Sequence, residues 1–345
     1  MISGALIKRA AVWLAALQFF FAPFVAAQES DFYRGKTIRI VVGFSPGGGY
    51  DANARLLSRY LGAHIPGRPN VIVENMLGAG SLRAANYVYG MAPKDGTVIA
   101  AVNVNAPMYQ LLGGEGAQFD ATRLQWLGSI THSNDVVYVW AATGIRSIAD
   151  AKAREVTLGG VGKSSDGYID GTILNALLET RFKVILGYPG SNEMRLAIER
   201  GELMGRGGSS YASLAAETPA WLTEHKISIL VQFGREKEPE LPDVPLLSAL
   251  AASEEARQIA AIVSAPSAMG YGYWLAPEVP TARVDILRAA FEASVTDEGL
   301  RKEAATLGLR PAPQSAAATA ASVRALADTP QKIRDRIVAI LGWRN

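Results

Sequence analysis

The chain has 345 residues, 49% of them hydrophobic and 19% charged, with 34 basic residues against 32 acidic ones and no cysteine. This composition excludes a disordered chain, and the length allows two lobes with sizeable cores. The near-balance of charge removes any electrostatic case for a nucleic-acid or membrane-surface partner, and the missing cysteines remove disulfides, thiolate chemistry and a lipid-bearing thiol.

Residues 1–27 read as a cleavable export signal. Lys8 and Arg9 are basic, Ala10 to Ala22 is apolar apart from Gln18, and Val25-Ala26-Ala27 supplies small residues ahead of a cut before Gln28. The apolar run is shorter than the roughly 20 residues a membrane span needs. Cleavage takes 34 basic residues to 32 against 32 acidic ones, a mature net charge of zero. The expectation is an exported, freely diffusing protein of a Gram-negative periplasm.

Along the chain, "TIRIVVGF" (37–44) has the pattern of a buried strand, and "ANARLLSRYLGAH" (52–64) sets Leu56, Leu57, Tyr60 and Leu61 on one helical stripe. "NVIVEN" (70–75) is a second strand, "SLRAANYVYGMA" (81–92) a helix stopped by Pro93, and "TVIAAVNVN" (97–105) a third strand. The grammar then repeats. "EVTLGGVG" (155–162) is a strand, "DGYIDGTILNALLETR" (166–181) a helix and "FKVILGY" (182–188) a strand. "SNEMRLAIERG" (191–201) is a helix with Ser191 as N-cap and Gly201 as its stop, and "KISILVQFG" (226–234) is a strand. "REKEPELPDVP" (235–245) is a surface crossing, "GYGYWLAP" (270–277) a strand, and helices run from Thr281 onward, including the Ala-rich "SAAATAAS" (315–322). Strand, glycine-rich turn, helix, strand predicts an α/β fold of two lobes, each a mainly parallel sheet flanked by helices with a ligand cleft between them. The expected division is 28–130 for the first lobe, with a C-terminal return over 240–345, and 131–239 for the second.

Several chemistries fail on spacing. Gly47-Gly48-Gly49-Tyr50-Asp51-Ala52 formally matches a dinucleotide fingerprint, with Glu74 in the place of a ribose-binding acid. However, Phe44-Ser45-Pro46 lengthens the turn, Asp51 would set a carboxylate beside a pyrophosphate, and export separates the chain from the cytoplasmic cofactor pool. Gly162-Lys163-Ser164 ends like a phosphate-binding loop, but the required glycine at 157 is Thr157. His64, His132 and His225 are scattered, no nucleophile has a base nominated for it, and no cluster has metal-ligand spacing. No cofactor, metal or catalytic residue is expected, and the protein is read as a non-enzyme.

Three strand-to-helix turns remain: Ser45 to Gly49, Gly78-Ala79-Gly80-Ser81, and Gly159 to Ser165. Open amides at a helix start favour an anion without any charged side chain, although tight-turn geometry alone also explains such glycines. If the strands are parallel, the turns share one sheet edge.

"YRGKTIRIVVGFSPGGGYDANARLL", "VIVENMLGAGS", "APKDGTVIA", "GYPGSNEMRLAIERGEL" and "LPDVP" together resemble the solute-binding receptors of tripartite tricarboxylate transporters, the Bug/TctC type, from about Tyr33 to Pro313. The resemblance implies a type II-like periplasmic receptor that closes on a small organic carboxylate and delivers it to the membrane permease, acting as a monomer. In that family the loops matched by Ser45–Asp51 and Gly159–Ser165 grip one carboxylate through backbone amides, and Asp51 matches an aspartate read as capping the helix. Tyr50, Gly162-Lys163-Ser164-Ser165-Asp166 and Arg206-Gly207-Gly208-Ser209-Ser210 differ from the usual pattern. The expected ligand-binding positions are Phe44, Ser45, Gly47, Gly48, Gly49, Tyr50, Asp51, Ala79, Gly80, Asn105, Gly162, Lys163, Ser164, Ser165, Arg206, Gly207, Gly208 and Ser209. Lys163 or Arg206 is expected to meet a second polar group of the ligand, with Tyr50 packed on its body. An exported enzyme or a sensor subunit using the same cleft are the alternatives.

Overall fold

Leu56, Leu57 and Leu61, the apolar stripe of the first helix, are fully buried against the strand Thr37–Val42 (β1), whose Ile38, Ile40 and Val42 are also sealed from solvent. Each such side chain contributes roughly 1.5–3 kcal/mol by burial, which is why this strand–helix pair anchors the lobe. The computed structural model describes residues 31–343, so the export-signal reading of residues 1–27 lies outside the described residues.

The strands that follow are β2 (Asn70–Asn75), β3 (Val98–Ala101), β4 (Gln125–Ser129), β5 (Asp135–Trp140), β6 (Val156–Gly159), β7 (Phe182–Ile185), β8 (Gly205–Arg206), β9 (Ile227–Phe233), β10 (Gly272–Leu275) and β11 (Gln314–Ser315). The helices that matter below are α1 (Gly49–Leu61), α2 (Leu82–Asn86), α3 (Ala106–Leu111), α4 (Asp166–Leu178), α5 (Ser191–Glu199), α6 (Tyr211–Glu217), α7 (Glu254–Met269), α8 (Thr281–Thr296), α9 (Glu298–Thr306), α10 (Ala316–Ala327) and α11 (Gln331–Leu341).

Two sheets form. The first has the order β11-β4-β10-β3-β1-β2 and the second β7-β6-β8-β5-β9. Both are mixed where mainly parallel sheets are expected. β1 is parallel to β2 and β3, and β6 to β7 and β8, while β10 runs against β3 and β4, and β5 against β8 and β9. The reason is the crossing between lobes. β1, β3 and β6 end at the cleft, whereas β5 and β10 receive a chain arriving from the other lobe and so begin there.

The crossing segments lie side by side. The Tyr271 amide donates to the Thr131 carbonyl (2.9 Å), and the Ile130 amide to the Tyr271 carbonyl (3.2 Å). Gly270 permits the approach. Its φ is +55°, and a Cβ there would lie 1.8 Å from the Thr131 oxygen, so no other residue fits without moving the crossing.

The returning segment after 240 divides. Its strands β10 and β11 join the first sheet, α8 packs on α1 and β4, and α10 on β4. In contrast, α7 lies on β9 and α11 on α4, on the second lobe. There Tyr168 Oη donates to the Leu341 carbonyl (2.9 Å). Trp343 stands edge-on to Tyr109 of α3 at 4.7 Å, and its indole donates to the Lys163 carbonyl (3.3 Å). Periodicity marks nothing between 246 and 269, where α7 forms with Ser253 capping the Ala256 amide (3.1 Å) and Pro266 inside it. The helix expected over 81–92 begins after Gly80 (φ +62°) and Ser81 (φ +81°) turn the chain, is regular in α2 and continues over Tyr87–Met91 as a π-helical turn.

Candidate functional site

A cleft lies between the two sheets. Helix starts dominate its wall: Gly48, Gly49 and Tyr50 at α1, Asp166 at α4, Gly190 and Ser191 at α5, and Ser209, Ser210 and Ser213 at α6. The first amides of a helix have no partner within it, and the dipole makes that end positive, so four positive helix ends border one space. At α6, however, the Tyr211 and Ala212 amides are taken by the Asn134 carbonyl and Ser133 Oγ, and at α4 the Gly167 amide by Asp166. Asn103 and Val104 after β3, and Thr131, Ser133 and Asp135 on the crossing, complete much of the remainder.

The β1–α1 turn is held from behind. Gly47 has φ +83°, and its amide donates to Asp51 (2.9 Å), which also accepts from Arg55 Nε (2.8 Å) and Asn75 Nδ2 (2.9 Å). Asp51 therefore reaches back from the first turn instead of sitting at the cap position, which Gly48 occupies. Burial works to raise this carboxyl, but the three hydrogen bonds outweigh it and hold it below the usual carboxylate range. The ring of Tyr50 stacks on Phe44 (4.6 Å) and meets Tyr271 edge-on (4.4 Å), while its hydroxyl accepts from the Val104 amide (2.8 Å). Burial pushes the Tyr50 phenol well up, so it stays a neutral wall of the cleft.

Of the positions expected from sequence, Phe44, Gly48, Gly49, Tyr50, Arg206 and Ser209 line the cleft. The others do different work. Ser45 joins the lobes, its hydroxyl donating to Glu193 (3.0 Å) and its amide to the Pro189 carbonyl (3.4 Å). Gly47 and Asp51 face an outer groove. Ala79, Gly80, Gly162 and Ser164 touch one another: Ser164 Oγ donates to the Gly80 carbonyl (3.1 Å), and a Cβ on Gly162 would lie 2.9 Å from the Gly80 nitrogen. Ser165 closes its own turn, donating to the Gly162 carbonyl (2.7 Å). The Gly159–Ser165 loop thus spends donors on itself and on the opposite lobe. Lys163 is exposed and lines no part of the cleft. Asn105 is buried behind it, its amide held by Asn103 Oδ1 (2.8 Å), and Gly207 and Gly208 pack against the first turn of α4. Ser191 is the first helical residue of α5 with Gly190 as cap, which frees its hydroxyl to accept from Arg206.

Arg206, on β8, is the one Lys or Arg side chain in the described cleft wall, placed there by strand pairing. Its Nη1 donates to Ser191 Oγ (3.0 Å) and its Nη2 lies 3.7 Å from Asp166 Oδ2. Asp135, Asp166, Ser191 and Ser210 also line the cleft, beyond the ligand-binding positions expected from sequence. Asp135 opens the apolar run "DVVYVW", and an acid at the head of a buried strand was the available signal. Burial pushes Asp135 and Asp170 well up and Asp166 up, the charge of Arg206 opposing the shift at Asp135 and Asp166.

No protein-family model matches the chain. Among curated proteins, the "UPF0065 protein in gbd 5'region" of Cupriavidus necator is 28% identical over 254 residues, 71% of this chain and 73% of that protein. Among solved structures, the periplasmic binding protein BugD superposes with TM-score 0.69 at 18% identity, over 90% of this chain and 99% of BugD. MatC from Rhodopseudomonas palustris, solved with bound malate, superposes with TM-score 0.65 at 18% identity, over 89% and 99%. In fold the chain is similar to BugD and to a TctC solute-binding protein from Polaromonas. Like BugD, this chain has the two-lobed α/β fold of a periplasmic binding protein. Among its described residues no helix is long and apolar enough to cross a membrane.

Proposed function

We propose that this protein is a periplasmic receptor that closes its two lobes on a small organic carboxylate and presents the loaded form to a membrane permease. One observation carries the reading: the starts of α1, α4, α5 and α6 all border one cleft between two sheets. Peptide donors fixed in a water-poor space bind a carboxylate strongly because little reorganisation is needed on binding. The gripping halves would be 31–130 with β10 and β11 on one side and 131–239 on the other. The carboxylate would take the amides at Gly48–Tyr50 and Ser191, with Tyr50 against the ligand body.

MatC, a structural neighbour, was solved with malate, which supports a carboxylate as the ligand class here. Binding without conversion fits the same neighbourhood of receptors. The test is isothermal calorimetry of the mature chain against a panel of mono-, di- and tricarboxylates, with the ligand recovered afterwards. Submillimolar binding of at least one acid, returned chemically unchanged, is the expected result. A panel with no binder, or a ligand returned altered, would refute it.

A further inference from the structure

A cleft built for an anion should not carry an uncompensated acid, yet this one does. Asp135 lines the cleft and is 8% exposed. Among the described residues no group donates a hydrogen bond to its carboxylate; the charges acting on it are Asp166, which repels, and Arg206, which attracts. Arg206 is already engaged, by Ser191 at 3.0 Å and Asp166 at 3.7 Å. Asp170, 3% exposed just behind, has an oxygen with no partner of its own and deepens the negative end. Arg206 thus stands between Ser191 at the start of α5 and Asp166, while Asp135 lies opposite Ser210 on the far side of the cleft from the start of α1.

We propose that the ligand is bipolar: a carboxylate held at the helix starts and, at its far end, a protonated amine seated on Asp135 and Asp166. This inference rests on the carboxylate reading above. A buried acid is tolerated when it is paired, and a cationic nitrogen supplies both the charge and the hydrogen bonds that Asp135 lacks. A simple monocarboxylate leaves Asp135 unpaired, and a dicarboxylate sets a second anion against it. The preference therefore arises as much from rejection of the wrong far end as from attraction of the right one.

The experiment uses acids matched in length that differ only at the far end: valerate, glutarate and 5-aminovalerate, with butyrate, succinate and 4-aminobutyrate as the shorter set. Calorimetry on the mature protein should show, in at least one set, the amine-ended acid binding tenfold or more tightly than both companions. Asp135→Asn should erase that advantage while the methyl-ended acid binds at least as tightly as to the wild type, which also demonstrates an intact fold. Equal or tighter binding of the methyl-ended or doubly carboxylated acids across both sets overturns this inference and leaves the carboxylate reading standing. Retention of the amine preference in Asp135→Asn overturns it as well. If pentylamine binds and no carboxylate does, the carboxylate reading itself fails.

Discussion

Gly162→Ala perturbs closure and nothing else. Gly162 does not have positive φ, so alanine costs no backbone strain there, and the nearest atoms to a new Cβ all belong to the opposite lobe. Across the cleft, however, the new Cβ would lie 2.9 Å from the Gly80 nitrogen and 3.0 Å from its Cα, both backbone atoms that cannot swing aside. The two loops must separate by about half an ångström or more, which strains or breaks the Ser164–Gly80 hydrogen bond of 3.1 Å. Overpacking of about 1–3 kcal/mol and a lost hydrogen bond of about 1 kcal/mol together predict binding about 10- to 100-fold weaker, allowing for partial relaxation. Calorimetry with the tightest-binding acid measures that loss, and scanning calorimetry of the ligand-free protein should show an unchanged melting temperature. Unchanged affinity, or a melting temperature lowered without ligand, would refute the claim that this contact belongs to the closed, ligand-gripping state.

Asp51→Asn should destabilise the protein by about 2 kcal/mol at pH 7 through the charged hydrogen bonds it weakens. Because the folded carboxyl is held below its ordinary value, that contribution is complete above about pH 4 and disappears as pH falls through the lower folded value, so the gap from wild type should close in acid melts. Arg206→Ala should cost about 3 kcal/mol in chemical denaturation by leaving Asp166 without its partner, and should weaken ligand binding at least tenfold. Lys163→Ala, at an exposed residue outside the cleft, should leave affinity within about twofold. Tyr50→Phe leaves the Val104 amide without its acceptor and should lower stability by about 1–2 kcal/mol in urea melts.

Local pattern carried a good part of the architecture. A β-branched run such as "TIRIVV" or "NVIVEN" has the pattern of a strand, and the stripe of Leu56, Leu57 and Leu61 that of a helix with one covered face. The glycines and Asp51 of the first turn were likewise legible, because positive φ and the cap of a helix start are decided within a few residues. What was not legible depends on partners far away in the chain. Gly162 and Ser164 have the composition of an anion loop, but the donors of that loop are taken by Gly80 and by Ser165, one of them more than eighty residues distant. Strand direction depends on which edge the chain enters after crossing between lobes, so the mixed sheets escape any periodicity.

By itself, then, the order of residues determined the elements, the two-block α/β grammar and the helix starts that can hold an anion, since each follows from backbone geometry within a short span. Only the tertiary structure decided which starts face the cleft, that Lys163 stands outside it, and that Arg206 and Asp135 stand inside. Burial and pairing are set by neighbours that sequence distance does not reveal.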